Sequence, residues 1–347
     1  MVDFITPSNI DIRANDAVAS STAGANGQLF FNTTSNSLHV YDGISIGGYK
    51  TSLTASMVHT QAQGSISGYT SGGTTNTNVI QKFPFSSDAN ATGVGDLSQA
   101  RSYAAGQSSS ESGYSSGGQN PPNLNTIDKF PFASDANATD VGNLTQARRI
   151  LAGQSSEESG YTSGGYGVGF QNTIDKFSFT SDGNATDVGN LTQSRGSAAG
   201  QSSSTSGYTS GGEPSTIDTI DKFPFTSDAN ATDVGNLTQA RNGVGGQSSA
   251  EYGYSSGGGP TYATTVDKFP FSSDANATDV GDLTQARSTV TGQSSTRSGY
   301  ASGGRSNPLG PNVQVNTIDK FPFATDANAT DVGDLLSDER GLAGQQV

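Results

Sequence analysis

Apolar residues along this chain come singly, in pairs or at every second position, and the stretches between them are built from Gly, Ser, Thr, Asn and Pro. Alternation cut every few residues by turn formers predicts short β-strands, and no long window carries apolar residues at helical spacing. The same marks then return at a fixed interval. Tyr69, Tyr114, Tyr161, Tyr208, Tyr254 and Tyr300 stand 45 to 47 residues apart, each just ahead of a Gly-Gly pair. Lys82, Lys129, Lys176, Lys222, Lys268 and Lys320 each precede Phe-Pro-Phe or, once, Phe-Ser-Phe. Arg101, Arg148, Arg195, Arg241, Arg287 and Arg340 read as closing each unit.

Within a unit, four extended segments are separated by turn residues, for example 104–108, 112–117, 126–132 and 141–144. A twisted four-stranded sheet cannot bury both faces by itself, so each must pack on the next, and a period near 46 residues is that of propeller blades. The marks GYSSGG at 113–118, TIDKF at 126–130 and Arg148 resemble the Kelch β-propeller repeat, in six copies over residues 68–347. The resemblance implies an all-β fold, a six-bladed β-propeller with four-stranded Kelch-like blades. The tryptophan of that family is missing throughout, which predicts smaller contacts near the fourth segment. The repeats open on a second segment, 67–69, and end on a first segment, 340–345. Ring closure would therefore have 341–347 supply the first strand of the opening repeat. Residues 58–65, where Gln61 and Gln63 straddle the equivalent glutamine position, compete for the same slot.

Spacing within the repeats separates scaffold from surface. The last Phe of the third segment always precedes the Leu of the fourth by twelve residues, whereas the connection from the second glycine to the residue before lysine spans 8, 10, 10, 9, 9 and 15. Residues just after the arginine also vary, and in an antiparallel blade both variable sets lie on one face. Loops held by a rigid scaffold commonly carry binding residues, and exposed aromatics and arginine dominate contact energetics. The candidate binding residues are therefore Tyr103, Arg149, Tyr166, Phe170, Tyr262, Arg305 and Asn307. Loops under no constraint would vary in the same way.

The turn Ser86-Ser-Asp88-Ala-Asn90-Ala-Thr92 and its five relatives have the start of a calcium loop, but glycine fills the sixth place only once and no glutamate closes the twelfth. The turn also resembles the Asp-box of sialidase-like propellers, which implies a structural role, with Asp and Asn accepting hydrogen bonds from backbone two residues on. The repeated arginine suits hydrogen bonds to carbonyls between blades, and the lysine stem suits packing along apolar surface. The double glycines serve blade geometry and are not phosphate loops, which require a following helix.

Composition narrows the chemistry. The 347 residues include no cysteine and no tryptophan, and the two histidines, His39 and His59, precede the repeats. Neither a Ser-His-Asp triad nor a histidine metal cluster can be drawn within the repeats, and the glutamates form no recurring pair, so no enzyme and no cofactor or metal is expected. A net charge of −14 with 17 Lys and Arg spread along the chain gives no basic stripe for nucleic acid. No apolar run reaches about 18 residues, so membrane insertion is not expected either.

Residues 1–55 do not share the period. Gly27-Gln-Leu-Phe-Phe-Asn32, a Thr-Ser-Asn turn and Val40-Tyr41-Asp42-Gly43 predict a β-hairpin. This segment resembles a short module of bacteriophage tail-fibre and other virion proteins, which implies an N-terminal attachment or oligomerisation module, 1–55, ahead of a propeller, 56–347. The resemblances together imply a non-enzymatic virion surface protein, tail-fibre or adhesin-like. Its expected partners are other virion proteins through 1–55 and, at the variable loops, a host-surface glycan or protein or a further virion protein, and a homo-oligomer is compatible with this. A soluble propeller that binds or cleaves glycans is the alternative.

Overall fold

The structure, a computed structural model, describes residues 63–74, 77–306 and 313–347, together with the backbone of four strands nearer the N-terminus. The chain forms two compact units, Met1–His59 and Thr60–Val347. In the first, strands Arg13–Ala14, Leu29–Asn32, Ser37–Tyr41 and Tyr49–Leu53 make one sheet in that order. The expected hairpin is its centre, with Asn32 opposite Ser37, and a parallel strand lies on one side of it and an antiparallel one on the other. His39 falls on a strand whose side chains lie outside the described residues, and His59 lies outside them altogether.

The second unit is all-β, built of repeated four-stranded antiparallel sheets consistent with a β-propeller. We number the sheets 1 to 6 by the tyrosines 69, 114, 161, 208, 254 and 300. Sheet 2 is representative: Ala105–Ser108, Ser112–Ser116, Thr126–Pro131 and Thr139–Asn143 follow one another in space as in sequence. Sheet 1 differs, because Ser67–Ser71, Val79–Pro84 and Thr92–Asp96 take their first strand from the far end of the chain, Ala343–Gln346. The C-terminal segment thus fills the slot for which 58–65 competed. Gly64 instead bridges Ser295 of sheet 6, and the N–H groups of Ser65, Ile66 and Ser67 all donate to the carbonyl of Val347.

The packing explains the repeated residues. Each second strand is buried along nearly its whole length, so both faces of the sheet are covered by other sheets. Tyr114 stacks on Phe179 at 4.8 Å and meets Phe177 at 5.5 Å, both in the next sheet. The same trio recurs from sheet to sheet, including Tyr300 of sheet 6 on Phe83 and Phe85 of sheet 1. Six apolar clusters of described residues result, each spanning two sheets and each containing the buried Leu that follows a fourth strand. Phe-Pro-Phe thereby supplies the aromatic packing that the missing tryptophan left in question. The glycine before each tyrosine seats the first Phe: a Cβ on Gly113 would lie 2.3 Å from Cζ of Phe130.

First strands crowd one another. A Cβ on Gly106 would lie 2.1 Å from the carbonyl oxygen of Gly344, and one on Gly153 would lie 2.2 Å from that of Gly106; the series continues through Gly200, Gly246 and Gly292 back to Gly344. Side chains reinforce the same order. Gln107 donates to Tyr161 O at 3.0 Å, Gln293 to Tyr69 O at 3.2 Å and Gln345 to Tyr114 O at 2.8 Å.

The turn between third and fourth strands is structural, by a different device from the one expected. Its Asp and Asn reach the preceding sheet: Asp182 accepts from Lys129 Nζ at 3.0 Å, and Asn184 Oδ1 accepts from the N–H of Asn143 at 3.0 Å. Lys320 to Asp88 and Asp334 N–H to Asn90 repeat this between sheets 6 and 1. These oxygens are thus committed to protein donors. The lysine does more than cover apolar surface, since Lys129 Nζ also lies 5.9 Å from the centre of the Tyr114 ring. The hydrogen bond to Asp182 helps raise its pKa.

Arginine closes five repeats. Arg148 is fully buried; its guanidinium donates to Gly164 O at 2.5 Å, Thr173 O at 3.2 Å and Asp175 Oδ2 at 2.7 Å, all in the sheet it leads into. Burial pushes the Arg101, Arg148 and Arg287 pKa values down, against the pull of Asp128, Asp175 and Asp319. Asp175 also accepts from the N–H and hydroxyl of Thr145, which pins the connection between sheets. The sixth arginine is out of register. Glu339, fully buried, donates and accepts where the arginine backbone does elsewhere: Gly304 N–H bonds Glu339 O at 2.8 Å as Gly258 N–H bonds Arg287 O at 2.8 Å. Arg340 occupies the position after it, and Gln81 replaces the aspartate, accepting from Leu336 N–H at 2.7 Å.

Candidate binding face

The two variable sets meet on one side of the sheets, as short antiparallel bridges that extend each first-and-second-strand hairpin. Ser102 pairs with Gln119, Arg149 with Tyr166, Gly196 with Glu213, Asn242 with Gly259 and Ser288 with Arg305. The equivalent contact in sheet 1 is Thr74 N–H to Arg340 O at 3.1 Å. Fixed hydrogen bonding below and free choice of side chain above explain why composition varies there. Both glycines of the pair just before these bridges have positive φ, 67° and 98° at Gly117 and Gly118, which other residues adopt at a cost.

One residue further on, Tyr103, Ile150, Ser197, Gly243, Thr289 and Gly341 all adopt left-handed backbone, with φ between 52° and 62°. Their peptides form a chain: Tyr103 N–H donates to Gly341 O at 2.6 Å, Ile150 N–H to Tyr103 O at 2.8 Å, and so on through Ser197, Gly243 and Thr289. Five bonds between sheets hold a conformation that costs a non-glycine residue about 1–2 kcal/mol. These residues rim a recess floored by Ala104, Leu151, Ala198, Val244, Val290 and Leu342. Tyr103 thus belongs to this rim and packs against Gly341.

The other candidates fall into two groups. Arg149, Tyr166 and Phe170 come together: the guanidinium lies 4.7 Å from the Tyr166 ring centre, and Phe170 meets that ring edge-on at 5.1 Å. Asn123, from the loop of sheet 2, joins them, accepting from Arg149 Nη1 at 3.1 Å and donating to Tyr166 O at 3.1 Å. Tyr262 and Arg305 form the second group, with the guanidinium 5.2 Å from the ring centre. Arg305 lies in a small sheet made of Arg287–Ser288, Arg305–Ser306 and Val313–Gln314, so the longest connection is partly strand. Asn307 lies outside the described residues.

Sequence reasoning missed Asn123, whose loop gave no sign of which neighbour it would meet. It also missed Asp128, Asp175, Asp221, Asp267 and Asp319 as arginine partners. The signal was present, since the sheet with Gln81 in place of Asp is the one that the displaced arginine leads into. No protein-family model matches the chain, and no curated protein matches it. The Kelch-type and phage-module resemblances therefore rest on the residues quoted for them.

Proposed function

We propose that the protein is a non-enzymatic virion surface protein, of tail-fibre or adhesin type, whose repeats close into a six-bladed β-propeller presenting one diversified face to a host surface. Support for six blades comes from the Lys-to-Asp, Gln-to-Tyr and aromatic contacts, each of which links sheet 6 to sheet 1 as it links the others. The reading of the face is carried by one observation: every variable connection lies on the side of the Ser102–Gln119 type bridges, and the side chains there include two arginine–tyrosine stacks. Residues 63–66 run beside the Ser294–Thr296 turn, at the opposite ends of the strands.

In this reading residues 1–55 engage other virion proteins or further copies of the chain, and the virion assignment rests on the resemblance of 27–43 to phage modules. The test combines adsorption of the purified protein to candidate host cells with a glycan array and a turnover assay on the glycans bound. Adsorption or glycan binding without turnover supports adhesion, and turnover would favour the glycan-cleaving alternative. Binding unaffected when the 305–316 connection and the 119–124 and 166–171 loops are each replaced by short Gly-Ser turns would remove the variable face from the account.

A further inference from the structure

The Arg149 cluster carries features that point to a ligand. At the equivalent bridge of sheet 4, Glu213 accepts from Ser197 Oγ at 2.7 Å, a pair closed on itself. Arg149 is half-buried and held twice, by the Tyr166 ring on its face and by Asn123 at one Nη1 hydrogen bond. Among the described residues no carboxylate pairs with it, although the chain carries 31 Asp and Glu against 17 Lys and Arg. A guanidinium fixed in plane with remaining N–H donors unused matches the two oxygens of a carboxylate, and fixing it beforehand removes the rotamer entropy that a free arginine loses on binding. Beside it, half-buried Phe170 and the Tyr166 ring offer apolar surface of one-ring size, and Val168 stands fully exposed at the loop tip.

Resting on the reading of this face as the binding surface, we propose that Arg149, Tyr166 and Phe170 form a site for a carboxylate-bearing pyranose, a uronic or sialic acid residue of a surface glycan. The carboxylate takes the free edge of the Arg149 guanidinium, and the C–H face of the sugar packs on the aromatic pair. Asn123 is a positioning residue, since both ends of its amide are spent on Arg149 and Tyr166. The three contact residues belong to the hairpin extension of sheet 3, and Asn123 ties them to the loop of sheet 2. A protein partner of like charge would need a contact of roughly 800 Å² on this side, far beyond one cluster.

Titration of the full chain with an oligogalacturonate and with sialyllactose, followed by NMR or calorimetry, tests this, with each ligand's carboxyl methyl ester as control. At least one free acid should bind, with its ester at least tenfold weaker. Arg149→Gln and Phe170→Ala should each weaken the acid at least tenfold, Arg149→Lys should recover only part, and Arg305→Gln should leave it unchanged. Equal binding of acid and ester, or no binding of either acid, overturns the proposal. Cell adsorption that survives Arg149→Gln but disappears on the loop replacements above overturns it while leaving the adhesive face standing, and adsorption insensitive to both sets fails the two readings together.

Discussion

Five junctions between consecutive sheets are locked by a buried arginine–aspartate pair, and one, where the two ends of the repeat region meet, carries Glu339 and Gln81 instead. In the five, the aspartate is shared by the guanidinium and by Ser98, Thr145 or their relatives, so charge and connection are tied together. In the sixth, Leu336 stands where the hydroxyl residue belongs and only its N–H is taken, by Gln81. Arginine, aspartate and threonine have changed together, which teaches that the three positions act as one unit. A buried ion pair need not exceed an apolar or neutral replacement in stability, although losing one partner is costly. The outer contacts, by contrast, run through all six junctions alike: Lys320 holds Asp88 at 3.0 Å as Lys129 holds Asp182 at 3.0 Å.

Breaking a typical junction should have the largest effect. Arg148→Ala strands the Asp175 carboxylate in the interior and should cost about 3–5 kcal/mol in urea unfolding. An unchanged urea midpoint would show that the pair is not what locks the sheets. Next, Glu339→Arg alone should destabilise by about 2–3 kcal/mol, while Glu339→Arg with Gln81→Asp should recover more than about 1 kcal/mol of it. Additive costs in the double variant would separate the two positions. Alkaline pH should act on typical and atypical junctions equally. Burial raises the Tyr254 and Tyr300 hydroxyls from 10 to about 12, so the unfolded chain loses these protons first as pH rises. Stability present below pH 10 should fall between pH 10 and 12, with a slope of up to about 1.4 kcal/mol per unit for each tyrosine. Tyr254→Phe and Tyr300→Phe should each flatten that slope by a similar amount, which thermal melts at stepped pH would measure. Smallest of all, Lys129→Ala and Lys320→Ala should each cost less than about 1 kcal/mol, since both pairs are solvent-exposed. A loss at Lys320 several times that at Lys129 would mean that the atypical junction leans on its rim.

Most of the scaffold was legible because it repeats. Four strands per unit, the constant turn between third and fourth strands and the return of 341–347 to the opening sheet all follow from spacing. Arg340 misled because residue identity was read instead of distance: Leu283 precedes Gln293 by ten residues, as Leu335 precedes Gln345, and that count puts Glu339 at the arginine position. The targets of Asp182 and Asn184 were not legible, since the two side chains reach residues 53 and 41 positions earlier in the chain. On the variable face, Tyr166 and Phe170 announced themselves by type. Their meeting with Asn123 depends on how two loops are set side by side, which no single stretch of sequence records.

Sheet 1 has a consequence for synthesis. Ser71 bonds Gln345 across 274 residues, so during translation the edge of Ser67–Ser71 leaves the ribosome long before the strand that covers it exists. Throughout that interval it is a bare strand edge, a template for any extended segment of suitable register. The Ala343–Gln346 strand of another copy is such a segment, and exchange of these strands between copies would link them by strand swapping without a single new contact type.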